Sequence, residues 1–291
     1  MEIESFSFII PNYNNEKLIK RCIDSVLNQK FSNYEIIVID DKSTDNSLKI
    51  LEKYKNIILI KNKKNKGVSY SRNIGILKAT KKYIVFLDAD DYLKDNYKKI
   101  IIEQLEDKID LYIYNEIEIK EGSQKIYSCN IEGVKTIKEI LEKYSKEYLK
   151  APISYWVHNK IFLRNIITSN NLLFNTHKKA AEDQEFCYNY FNCINNIKFI
   201  NKELYHYDQM NVNKYKYIKY YHQTLKSIYK NNKNIFKKYN LDSKDTDNDI
   251  KQLFDKSLDR ITKSNIPIFK KTIYKFLIYT KNLYIVLRST K

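Results

Sequence analysis

The chain has 291 residues, 43% of them hydrophobic, and 52 Lys and Arg against 35 Asp and Glu, a formal net charge of +17. That length and apolar content support a substantial core and exclude global disorder. The positive balance favours polyanionic partners such as nucleic acid, an anionic membrane face or a phosphorylated substrate, but saturation with Asn, Ile and Tyr makes it a hint only. Cys22, Cys129, Cys187 and Cys193 are scattered, with no C-x-x-C pair and no zinc-like His spacing, which predicts reduced thiols in a reducing compartment. No basic-then-apolar leader precedes the first strand, and no run approaches the ~20 apolar residues that a membrane-spanning helix requires. The expectation is a cytoplasmic protein, or one held peripherally on the cytosolic membrane face.

Ser5 to Ile10 reads as a short strand, stopped by Pro11 and turned by Asn12. Leu18, Ile19, Cys22, Ile23, Val26 and Leu27 recur at helical spacing. Tyr34 to Ile39 is a second strand running into Asp40-Asp41-Lys42-Ser43-Thr44-Asp45, where Ser43, Thr44 or Asp45 can cap a helix through Leu48 and Leu51. Asn56 to Ile60 is a third strand, Lys61 to Lys66 a basic loop, and Gly67 precedes a helix to about Lys78. Tyr83 to Leu87 is a fourth strand that ends abruptly in Asp88-Ala-Asp90-Asp91, and a fifth spans Asp110 to Tyr114. Strands alternating with helices at this pace predict βαβ units and a mainly parallel sheet, whose ligands bind outside the carboxyl ends of the strands. The loops holding Asn12, Asp40-Asp41 and Asp88-Asp90 all fall on that edge.

Beyond residue 115 the pattern weakens. Glu116 to Cys129 resembles a strand pair around Gly122, 135–149 an amphipathic helix, and Ala181-Glu182-Asp183 the start of a helix to Phe191. Two short strands follow, around Ile197 to Ile200 and Leu204 to Tyr207, and from about Tyr215 the chain reads as helical and basic. With no Gly/Ser/Pro linker, the boundary is a packed junction between domains 1–210 and 211–291.

Three carboxylates within four residues repel one another unless a positive group sits between them. A hard divalent cation meets that need; an acidic turn capping the helix near Asp95 is the simpler alternative. The four glycines form neither G-x-G-x-x-G nor a P-loop, so a backbone cradle for phosphate is disfavoured. A diphosphate can instead be held through a metal anchored by carboxylates.

Five motifs in order, Phe8-Ile-Ile-Pro-Asn-Tyr-Asn14, Glu35-Ile-Ile-Val-Ile-Asp40-Asp41-Lys-Ser-Thr-Asp-Asn-Ser47, Gly67-Val-Ser-Tyr-Ser-Arg72-Asn73-Ile-Gly75, Asp88-Ala-Asp90-Asp91 and Glu182-Asp183, make residues 5 to 210 resemble glycosyltransferase family 2. The resemblance implies an α/β GT-A fold, a mainly parallel, Rossmann-like sheet flanked by helices, here with a helical C-terminal extension. It implies an inverting, metal-dependent transfer of a hexose or N-acetylhexosamine from a UDP-sugar to a saccharide or lipid-linked saccharide acceptor. Asp41 would bond the uracil, with Pro11 and Asn12 beside the nucleoside and Arg72 approaching the nucleotide as a cation. Asp88 would contact the ribose or the metal-bound diphosphate, and Asp90 would ligate Mg²⁺ or Mn²⁺. Asp183 would be the general base, ionised at neutral pH with an ordinary pKa of ~3.9, and Glu182 an acceptor contact. Apart from the resemblance, Trp156 and His158 either line the acceptor pocket, since aromatic faces pack on the apolar faces of sugars, or belong to the core, and His206 either reaches the metal or diphosphate or is a structural histidine. Asp208 stands where the family often has an Arg, which leaves the diphosphate contact at that end open.

The tail from 264 to 291 interleaves apolar residues with Lys and Arg, suiting an anionic membrane surface, the protein's own domain or a second subunit in a homodimer. Two other classes compete. A sugar nucleotidyltransferase would share the sheet and acids but opens with a Gly-rich, Arg-containing loop unlike Pro11-Asn-Tyr-Asn14. A basic nucleic-acid-binding protein would explain the charge but not acidic clusters at successive strand ends, so no nucleic acid is expected.

Overall fold

The structure is a computed structural model and describes residues 5–128, 130–144, 155–178, 180–209, 230–231 and 233–241. The basic tail and most of the expected 211–291 region lie outside the described residues. In chain order the elements are β1 (Phe6–Asn12), α1 (Ile19–Leu27), β2 (Tyr34–Asp40), α2 (Ser47–Leu51), β3 (Ile58–Lys61), α3 (Val68–Lys78) and β4 (Tyr83–Phe86). They continue with β5 (Tyr92–Leu93), α4 (Tyr97–Gln104), β6 (Leu111–Lys120), β7 (Ser123–Tyr127), β8 (Gly133–Thr136) and α5 (Ile137–Lys143). The last are β9 (Lys160–Leu163), α6 (Arg164–Ser169), α7 (Glu182–Phe191) and β10 (Asn196–Asp208).

The strands form one sheet in the order β3-β2-β1-β4-β9-β6-β10-β5, with β7 added to β6 and β8 to β10. From β3 to β4 every pairing is parallel. Beyond β4 the sheet is mixed: β9 runs antiparallel to both β4 and β6, β10 parallel to β6, and β5 antiparallel to β10.

Strand alternation sorts the apolar side chains onto two faces. Phe6, Phe8 and Ile10 of β1, with Ile36 and Val38 of β2, pack against Ile19, Cys22, Ile23 and Val26 of α1. Ile9, Ile37 and Ile39 turn to the other face, against Ile76 of α3 and the cluster that includes Phe186, Cys187 and Tyr190 of α7. Gly75 lets α3 lie close to the sheet, because a Cβ there would stand 2.3 Å from Ile9 Cγ2.

Three sequence expectations are corrected. Pro11 does not stop β1, which pairs with β2 as far as Asn12↔Asp40. The Ile9 carbonyl accepts from Leu87 N and the Asn12 carbonyl from Asp41 N, so alternate residues serve alternate neighbours. Pro11 shares Ile9's direction, toward β4, whose register ends at Ile9↔Phe86, so its missing N–H leaves no ladder bond unmade. The fifth strand does not end at Tyr114, since β6 continues to Lys120 and supplies the first arm of the hairpin turned at Gly122 (φ 72°). The two late strands are one strand, β10, whose register on β6 shifts between Ile200 and Glu203 and again between Glu203 and Tyr205.

Candidate active site

At the carboxyl ends of β1 and β2 the polar loop residues bind one another. Asn12, 1% exposed, donates from Nδ2 to Asp40 Oδ1 at 2.9 Å and to Ser43 Oγ at 3.2 Å. Ser43 in turn donates to both Asp40 oxygens. Asp41 accepts from Asn62 Nδ2 at 2.8 Å, from Lys66 N at 2.9 and 3.1 Å, and from Gly67 N at 2.7 Å. Its carboxylate thus fixes the 62–67 loop and the left-handed turn at Gly67 (φ 88°) that begins α3. Pro11 sits half-buried at the same rim.

The acids after β4 divide by role. Asp91 is wholly buried and accepts from Tyr205 Oη at 2.6 Å and from Asp208 N at 2.8 Å, so it locks the turn onto β10. Arg21 braces the same turn, donating to the Asp90 carbonyl at 2.6 Å and to Asp208 Oδ2 at 2.7 Å. Burial pushes the Asp90 carboxyl up to about 6, with Asp88 adding repulsion. Burial also pushes Asp88 up, but Arg72 and His158 outweigh it and hold the carboxyl below its ordinary value. Crowded acids whose charges disfavour one another suit a divalent cation with oxygen ligands. Among the described residues, Asp88, Asp91 and His158 bring ligand atoms within 4.8 Å of one another.

Asp183 comes from the first turn of α7, entered through Ala181 in the left-handed conformation (φ 62°). Arg72, 3% exposed on α3, donates from Nη1 to Asp183 Oδ1 and from Nη2 to Asp88 Oδ1 at 2.8 Å. The Asp183 side chain is 21% exposed, so a substrate can reach it. Its carboxyl is not at the ordinary aspartate value expected from sequence. Burial pushes it up to about 7, against Arg72 pulling down, with Glu182 and Asp88 adding to the rise.

Across from these acids stands an aromatic stack. His158 lies on Tyr205 (centroids 4.6 Å, interplanar 17°) and beside Tyr207 (5.4 Å, 23°), and Trp156 stacks on His158 (5.3 Å) and meets Tyr127 at a right angle (5.4 Å, 88°). His158 Nε2 lies 2.7 Å from the wholly buried Glu116, and Nδ1 lies 3.9 Å from Asp88 Oδ2. Neither Trp156, half-buried, nor His158, 3% exposed, is simple core, because the stack reaches the acids.

The structure therefore brings Arg72, Asp88, Asp183 and His158 together, with Glu182 beside Asp183. It does not bring His206 into that group. Alternation along β10 sends Tyr205 and Tyr207 toward the stack and His206 away from it, onto Tyr92 (4.4 Å, 9°). Burial, then Lys94 and Arg21, push the His206 imidazole down, surroundings ill suited to a second cation. Sequence reasoning missed Glu116, Tyr205, Tyr207 and Arg21. Glu116 was legible only as a charge in a strand arm, and its burial depends on β10 and β7 flanking β6 at that point and on His158 lying against it.

The family model described as "Glycosyl transferase family 2" matches residues 7–191. Among curated proteins, the poly(ribitol-phosphate) beta-N-acetylglucosaminyltransferase TarP of Staphylococcus aureus is 34% identical over 198 residues, covering 63% of this chain and 56% of TarP. The glycosyltransferase EpsH of Bacillus subtilis is 29% identical over 213 residues, covering 71% of this chain and 61% of EpsH. The chain thus spans about three fifths of the length of these relatives. Among solved structures, residues 1–349 of S. aureus TarS in complex with UDP-GlcNAc superpose with a TM-score of 0.64 at 21% identity, covering 96% of this chain and 72% of that one. The superposition shows a shared fold. The chain belongs to glycosyl transferase family 2.

Proposed function

We propose that the protein is an inverting glycosyltransferase that moves a hexose or N-acetylhexosamine from a UDP-sugar to a hydroxyl of a saccharide, lipid-linked or phosphate-bearing glycan acceptor. The observation that carries this reading is the meeting of Asp183 and Asp88 on one guanidinium at the carboxyl rim of the sheet. In this reading Asp183 is an accessible base next to the acids of the expected donor site. TarP acts on poly(ribitol-phosphate) by its name, and a net charge of +17 suits such a polyanion.

In this reading Pro11, Asn12 and Asp41 frame the nucleoside, and Asp88 faces the ribose or diphosphate. Asp90 would hold Mn²⁺ or Mg²⁺ beside Asp88, whose carboxylate is grouped with Asp91 and His158. Such an ion, when bound, supplies Lewis-acid stabilisation of negative charge on the diphosphate. The Asp183 carboxylate takes the proton from an acceptor hydroxyl while that oxygen forms its bond to the anomeric carbon and the bond to UDP breaks on the opposite side. The configuration inverts, so an α-linked donor yields a β-linked product. With its carboxyl pushed up to about 7, Asp183 is better matched to proton transfer near neutral pH than an ordinary aspartate. Trp156 and Tyr207 offer aromatic faces to the acceptor sugar, with Glu182 at its edge.

Calorimetric titration of UDP with and without Mn²⁺ tests the donor half. The expected result is UDP binding strengthened by Mn²⁺, with the Mn²⁺ effect lost in Asp90→Ala and no comparable binding of GDP. Absence of UDP binding in the presence of either metal would overturn the assignment.

A further inference from the structure

Arg72 is read from sequence as a cation for the nucleotide, yet both of its terminal nitrogens are engaged by protein carboxylates. Of the three N–H donors left, the one on Nε is buried without a partner among the described residues. With its side chain 3% exposed, the guanidinium a nucleotide phosphate would meet is already held between two protein carboxylates. We propose that Arg72 is instead a positioning residue for the base, its guanidinium fork fixing the Asp183 carboxylate in register with Asp88 at the donor end of the site. The inference rests on the reading of Asp183 as base given above.

The support around Arg72 suits that role. Asn73, the next residue on α3, donates from Nδ2 to the Phe174 carbonyl at 2.9 Å and accepts from Phe174 N at 2.8 Å. The Phe174 ring lies 5.3 Å from the Arg72 guanidinium and stacks on Phe186 of α7 (4.1 Å, 2°). Phe174 is therefore a spacer that sets α3 against α7, the helix that carries Asp183. The fork uses only Oδ1 of each carboxylate. A planar guanidinium can hold two carboxylates at one fixed separation, whereas an ammonium supplies the charge without the fixed geometry.

The test is a double-mutant cycle of Arg72→Lys and Asp183→Asn, read as kcat at saturating UDP-sugar and as UDP affinity with Mn²⁺. Arg72→Lys should lower kcat by at least about tenfold while UDP affinity changes by less than about threefold. In the Asp183→Asn background the same substitution should add less than about a further threefold, because its effect runs through the base. Arg72→Met supplies a second readout. Arg72, Glu182, Asp88 and His158 are the charged or titratable groups that act on Asp183, and removing the one persistent cation should move the acid limb of the kcat–pH profile up by about one pH unit or more. A tenfold loss of UDP affinity with kcat retained would overturn the proposal and return Arg72 to the nucleotide, as would losses that multiply in the double variant. If the wild type neither binds UDP nor turns over a nucleotide sugar, the donor reading falls and this inference with it, an outcome seen before any variant is made.

Discussion

Between β3 and β4 the candidate site residues sit at the end of their own strands or in the loops directly after them, whereas around β6 and β10 the site is assembled from side chains within strands. Asn12, Asp40, Asp41 and Asp88 belong to the first group; the first three bind neighbouring loops and Asp88 binds Arg72 of α3. Glu116, Tyr205 and Tyr207 belong to the second; the two tyrosines form a continuous stack with His158 and Trp156, and Glu116 bonds His158. In the parallel half, topology alone delivers the polar residues to one rim. In the mixed half, the register of β9, β6 and β10 decides which side chains face the cleft, and a single-residue slip would reverse them. In the proposed reading, the donor end is therefore set by loop hydrogen bonds and the Arg72 ion pair, and the acceptor end by strand register.

The comparison can be broken at its junction first. Asp183→Asn should lower transfer by ~10² to 10⁴-fold with UDP affinity unchanged, measured by steady-state kinetics beside calorimetry. A smaller effect follows from pH. Transfer should rise through about pH 7 as Asp183 loses its proton, falling about tenfold per pH unit below that limb. The same raised carboxyl binds more proton in the folded than in the unfolded chain, so its contribution to stability declines as pH rises from about 4 toward 7.

Gly75→Ala tests the parallel half without touching an acid. The added Cβ meets Ile9, and the expected loss is about 1–3 kcal/mol in urea denaturation. Trp156→Ala tests the mixed half; removal of one face of the stack should raise acceptor KM by several-fold, ~1 kcal/mol, and leave donor KM unchanged. Smallest is Thr136→Ala, which removes the side-chain cap on Glu139 N at the start of α5, at a cost of about 1 kcal/mol in stability and none in donor binding.

The elements of the parallel half were legible because each carries its own period and its own punctuation, as in the α1 stripe from Ile19 to Val26 and the turn at Gly67. The start of α7 at Glu182 was legible for the same reason. Pro11 misled, since whether a proline ends a strand depends on which neighbour it faces, and that neighbour, β4, is some seventy residues away in sequence. His206 misled because strand alternation sets its direction, and β10 was read as two pieces. Glu116 was invisible as a site residue, since its partner His158 and the β10 residues beside it are remote in sequence. Among the described residues no helix is long and apolar enough to cross a membrane.

The most direct test of the account is release of UDP from a panel of UDP-sugars in the presence of Mn²⁺, for the wild type beside Asp183→Asn. The account predicts that one donor is turned over, that acceptor glycan accelerates its turnover, and that Asp183→Asn abolishes the acceleration while still binding UDP. A wild type that releases UDP from no donor and binds no UDP would contradict it.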